Sequence, residues 1–154
     1  VSKLKRIMKP NQQFINMVSA LFQNKQKSIT QADITKHNNH NVTFYSISHA
    51  RFVNMQMINK TEAFSDQLLI EIERNATRII IGTDREEKIY RKLSDLQLSY
   101  HNGQGLLHWT VANENDEVFT VVKLLATDGT PQIKVISADT TIQIIHNVCE
   151  LPNR

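Results

Sequence analysis

At 154 residues, the chain is long enough to bury one core and short for two. Hydrophobic residues make up 40% and charged residues 21%, which excludes a disordered chain, and no apolar run approaches the roughly 20 residues of a membrane-spanning helix. A single cysteine, Cys149, excludes an internal disulfide and a cysteine-built metal site, so a cytoplasmic protein is expected. The basic stretch VSKLKRIMKP is not followed by an uninterrupted apolar segment, so a secretory signal is not expected.

Charge is unevenly spread. Residues 1–36 hold seven Lys/Arg (Lys3, Lys5, Arg6, Lys9, Lys25, Lys27, Lys36) against Asp33, a balance of +6, whereas 37–154 balance at −3. Residues 1–10 read as a flexible basic arm on a single domain of 1–154, and a basic arm suits a polyanion such as RNA.

From Asn11, Phe14, Met17, Val18, Leu21 and Phe22 recur at helical spacing, which predicts a first helix capped by Asn11. Thr30-Gln31-Ala32-Asp33 reads as a capping box for a short second helix over 28–36. HNNHN at 37–41 reads as a polar loop. Its two histidines lack a carboxylate or cysteine beside them, so no metal is expected. Residues 42–47 (VTFYSI) predict a strand. Ala50, Val53 and Met57 then suggest a helix over 49–58, and Phe64, Leu68 and Ile72 another over 62–75.

Residues 78–81 (RIII) predict a short strand ended by Gly82, and 84–93 fit a loop or a strand. The stretch 95–126 predicts a three-stranded meander. Asn102 and Gly103 make a type I′ turn, Gly105 suggests a bulge, and 105–112 and 117–126 alternate. Residues 132–137 predict another strand, and 140–148 fit a strand or a short helix. Helices followed by antiparallel strands predict an α+β fold, with N-terminal helices packed on a four- to five-stranded, mostly antiparallel sheet.

No phosphate-cradling glycine loop, nucleophile elbow or HExxH motif occurs. The remaining chemistry is histidine-based, since histidine moves protons near neutral pH without a metal or cofactor. In ribose 2′-OH attack on a phosphodiester, one group takes the hydroxyl proton, another protonates the leaving oxygen, and a cation steadies the phosphorane. His49, with His101 or His108, could supply the first two, and Arg91, Lys88 or Lys123 the third. RNA contacts would add Lys3, Lys5, Arg6 and Lys9.

The segment 44–72 carries Ser-x-x-His (Ser46 to His49) at a strand end. It precedes IYRKL, the Leu-Gln-Leu-Ser-Tyr hairpin and GLLHWTVANENDEVFTVV. This order resembles the RelE-type metal-independent ribonuclease fold, including its phage endoribonucleases, over roughly 42–126. The resemblance implies messenger RNA cleavage with His49 as the matching histidine. The sequence departs from that pattern by having no histidine around 68–70. The expectation is therefore a metal-independent endoribonuclease that needs no cofactor. The alternative is a non-catalytic regulatory or host-directed protein that holds a protein or nucleic-acid partner, and no membrane is expected in either case.

Overall fold

The computed structural model describes residues 10–23 and 26–152. Helices α1 (Gln12–Gln23) and α2 (Gln31–Asn39) precede ten strands: β1 Val42–Val53, β2 Gln56–Thr61, β3 Leu68–Ile72, β4 Arg78–Gly82, β5 Glu87–Lys92, β6 Gln97–His101, β7 Gln104–Ala112, β8 Val118–Leu125, β9 Pro131–Ser137 and β10 Ile142–Glu150. A single 3₁₀ turn, Arg74–Ala76, joins β3 to β4.

The strands run in the order β1-β3-β4-β5-β7-β8-β9-β10, and β10 pairs back onto β1. The result is a closed, eight-stranded antiparallel barrel, with β2 attached to β1 and β6 to β7. This corrects the α+β expectation of helices on a small sheet, because about half of the described residues (51%) are strand. The error lies in the period. Phe64, Leu68 and Ile72 are spaced by four, and a spacing of four puts residues on one face of a helix and of a strand alike. Here the strand prevails, since Leu68, Ile70 and Ile72 all contribute to the barrel core. Residues 49–58 form a two-residue hairpin instead of a helix. Asn54 and Met55 both take positive φ (49° and 67°), and Val53 pairs with Gln56.

Other elements follow the sequence reading. Asn102 and Gly103 form the tight β6–β7 turn, with φ of 52° and 78°. Gly105 is paired in register with Tyr100 and so makes no bulge. A Cβ there would meet the Ile29 carbonyl oxygen at 2.2 Å, so glycine is needed for close approach of the segment before α2. The capping box of α2 is present: the Thr30 N–H donates to Asp33 Oδ2 (2.9 Å), and Thr30 Oγ1 accepts from the Ala32 N–H (3.3 Å). The helix runs three residues beyond its expected end and brings His37 into its last turn.

Phe44, Ile70, Ile79, Leu107, Trp109, Val121, Ile133 and Val148 are almost wholly buried in the main core. Ile29 and Ile34 join that core from the α2 segment, which closes one end of the barrel. Helix α1 packs outside. Its Val18 is buried against Tyr45 and Cys149, and the Phe14 ring meets Tyr45 edge-on at 5.0 Å. No helix among the described residues is long and apolar enough to cross a membrane.

Candidate active site at the open barrel mouth

The site depends on one irregularity in β1. Strand β1 pairs with β10 at Ser46↔Val148, and then the register shifts so that Ser48 faces Asn147 and His49 faces His146. Simple alternation from the inward Ser46 would turn His49 outward. The extra residue restores His49 to the inner face, which is what a bulge does when it re-aims a side chain. Ile47, the inserted residue, packs with the outer cluster under α1.

A cavity of about 220 Å³ lies at the barrel end away from α2. Leu68, Ile81, Tyr90, Val135 and Ile144 form its apolar wall, and His49, His146, Thr83, Glu86 and Lys88 bring polar groups to it. A second cavity of about 350 Å³ shares Lys88, Tyr90 and Ile144 with the first and adds Arg51 and Phe119. Both open where β1, β5 and β10 reach the rim.

The two histidine rings lie 5.4 Å apart. His49 Nε2 is 3.2 Å from Asp66 Oδ2, and the Thr61 hydroxyl is 3.5 Å from Nδ1. This assigns the proton of neutral His49 to Nε2, with Asp66 as its acceptor. Asp66 comes from the loop between β2 and β3. Its backbone carbonyl accepts from the Tyr45 hydroxyl at 2.9 Å, which ties the loop to β1. The Phe64 N–H donates to the Ile47 carbonyl at 3.0 Å and ties it again at the bulge. The second carboxylate oxygen, Oδ1, is buried and has no partner among the described residues.

His146 is 3% exposed. Burial first, then the charges at His49 and Lys88, push its pKa down to about 3, so the ring is neutral. The Ser46 hydroxyl gives its proton to the Ser48 carbonyl (3.3 Å), so Oγ accepts from Nδ1–H of His146 (3.0 Å). That assignment leaves a lone pair on Nε2 of a residue that lines the cavity. The mouth thus combines a neutral imidazole acceptor, a carboxylate-held histidine, and Lys88, which forms no ion pair among the described residues.

Of the expected site residues, His49 and Lys88 meet at this cavity. The others lie elsewhere. His108 on β7 bonds Ser99 Oγ at 2.7 Å, and His101 is exposed beside the Asn102 turn. Arg91 pairs with Asp116 at 2.9 Å. Lys123 is 3% exposed, and its Nζ donates to His37 Nε2 at 3.0 Å, so it faces the core and not a nucleic acid. Lys3, Lys5, Arg6 and Lys9 lie outside the described residues. Sequence reasoning missed His146, Asp66 and Thr61. The signal for His146 was present, because Ile144, His146 and Val148 alternate along the segment read as strand or helix.

Among the described residues, no group of three or more His, Cys, Asp or Glu side chains is placed to hold a metal ion. Comparison with protein-family models, curated proteins and solved structures gave no match for this chain.

Proposed function

We propose that the protein binds a small molecule in the open mouth of its barrel. The observation that carries this reading is the cavity whose apolar wall of Leu68, Ile81, Val135 and Ile144 is met by His49, His146 and Lys88. A concave apolar site with a few convergent polar groups is the usual form of a ligand pocket, and barrel mouths are a preferred place for one. At about 220 Å³ the first cavity falls below the range of about 300–1,000 Å³ for drug-sized ligands, so a small ligand or one that also enters the Arg51 side is expected. The test is titration with a neutral, polarity-sensitive dye. Saturable one-site binding, weakened at least tenfold by Ile144→Trp in a folded variant, is the expected result. Equal binding by both proteins removes the mouth as the site.

A second reading is RNA cleavage by 2′-OH attack at the same place. It is favoured by His49, His146 and Lys88 lining one cavity, a set of two proton carriers and a cation. Neutral His146 would take the 2′-OH proton, His49 in its imidazolium form beside Asp66 would give a proton to the leaving 5′-oxygen and become neutral, and Lys88 would steady the phosphorane. This reading keeps two of the expected residues and replaces His101, His108 and Arg91. Incubation with a mixed RNA pool in EDTA decides it. Fragments ending in 2′,3′-cyclic phosphate, lost in His146→Gln, support cleavage, and intact RNA removes it. A cytoplasmic location belongs to the same proposal and rests on the free thiol of Cys149, with cell fractionation as its check.

A further inference from the structure

Helix α2 closes the opposite end of the barrel with a face that is more ionic than apolar. Ile34 and His37 are its buried residues. His37 is fully buried in the last turn, and its Nε2 accepts from Lys123 Nζ on β8 at 3.0 Å. The same ammonium lies 3.6 Å from Asp33 Oδ1, one turn earlier on α2, and 5.2 Å from the centre of the Phe44 ring. At the rim, Lys36 of α2 pairs with Glu150 of β10. The charged groups around His37 are therefore Asp33 and Lys36 on its own helix, Lys123 on β8 and Glu150 on β10.

We infer that α2 is an acid-released plug: protonating His37 breaks its bond to Lys123 and frees this end of the barrel while the strands stay paired. An imidazolium has no lone pair to accept with, and it would set a second cation against Lys123 where water is excluded. Asp33 has little capacity to compensate, since it already accepts from the Thr30 N–H and from Gln26 Nε2 (3.1 Å to each oxygen). Of the two buried residues of the helix itself only Ile34 is apolar, so its seat depends on the His37–Lys123 bond.

The sign follows from His37. Burial, then Lys123, hold its pKa at about 3 in the closed state, against 6.5 when released. The His37 contribution to closure is therefore complete above pH 6.5 and is lost as pH falls toward 3, and Lys123, whose pKa burial lowers, acts in the same direction. Burial tends to raise Asp33, but the Thr30 N–H, Gln26 and Lys123 together hold it below its ordinary value, so it stays ionised between pH 7 and 5. Over that interval the opening equilibrium rises about 25-fold.

Hydrogen exchange at pH 7 and pH 5, corrected for the intrinsic rate, tests this directly. Protection over 29–39 should fall about 25-fold and stay well below that of β7 and β8 at both pH values, because the strands exchange only through global unfolding. In His37→Gln, whose amide oxygen can accept from Lys123 without titrating, the pH dependence should vanish. Unchanged α2 protection in the wild type overturns the inference, as does α2 protection equal to that of β7 and β8, or a wild-type response of α2 in His37→Gln. If that variant does not fold, the wild-type comparison decides alone.

Discussion

Replacing Gly105 by alanine tests how the closed end of the barrel is built. The backbone of Gly105 is not in the positive-φ region, so the substitution carries no conformational penalty there. Its cost is steric. The new Cβ would lie 2.2 Å from the Ile29 carbonyl oxygen and 3.2 Å from its carbon, both backbone atoms that no rotamer change can move. Normal contact needs about 3.5 Å, so the 26–30 segment must retreat by about 1 Å. That retreat lifts Ile29, which is 1% exposed, and disturbs the Thr30 cap. Overpacking of this kind costs about 1–3 kcal/mol, and rigid backbone on both sides places this case near 3. Gly103→Ala is the control: nothing lies within 4 Å of its Cβ, but φ is +78°, so it should cost about 1–2 kcal/mol without touching α2. Urea unfolding gives the two energies, and hydrogen exchange over 29–39 shows whether α2 is affected. A Gly105→Ala variant within about 0.5 kcal/mol of wild type, with α2 fully protected, would refute the packing argument.

Met55→Gly should stabilise the protein by about 1 kcal/mol, because Met55 sits at φ 67°, is 92% exposed and loses no packing; thermal unfolding reads it, and a destabilised variant would count against the turn geometry. His37 and His146 both have pKa values pushed down to about 3, so the unfolded state binds more protons below pH 6.5 and stability falls with acid. Each should remove about 2 kcal/mol between pH 7 and 5, and His146→Gln should halve the loss in urea titrations at the two pH values. Trp109 is 1% exposed, and its Nε1 has no partner among the described residues. Trp109→Phe should therefore cost well under the 3–5 kcal/mol of Trp109→Ala, and equal losses would indicate a hydrogen bond on the indole.

Much of the sheet was legible because local chemistry decided it. Asn102 and Gly103 could form a hairpin turn without strain, and the Thr30–Asp33 box fixed where α2 begins. The barrel was not legible, because closure rests on β1 pairing with β10 about a hundred residues away. The 49–58 hairpin was hidden by a methionine at a turn position where glycine is the usual signal. At the site, His49 and Lys88 were found by residue type, and their meeting depends on the Ile47 bulge, which no local pattern announces. Lys123 counted among the candidate phosphate cations, because burial of a lysine needs partners, and those partners, His37 and Asp33, lie on a helix far away in sequence.

The claim that the open mouth is a ligand site is tested most directly by methyl NMR with a library of small, partly apolar fragments. The account predicts that binders shift the methyls of Leu68, Ile81, Val135 and Ile144 together, and that Ile144→Trp abolishes those shifts. Fragments that bind while leaving these four methyls unmoved, or no binder at all from the library, would contradict it.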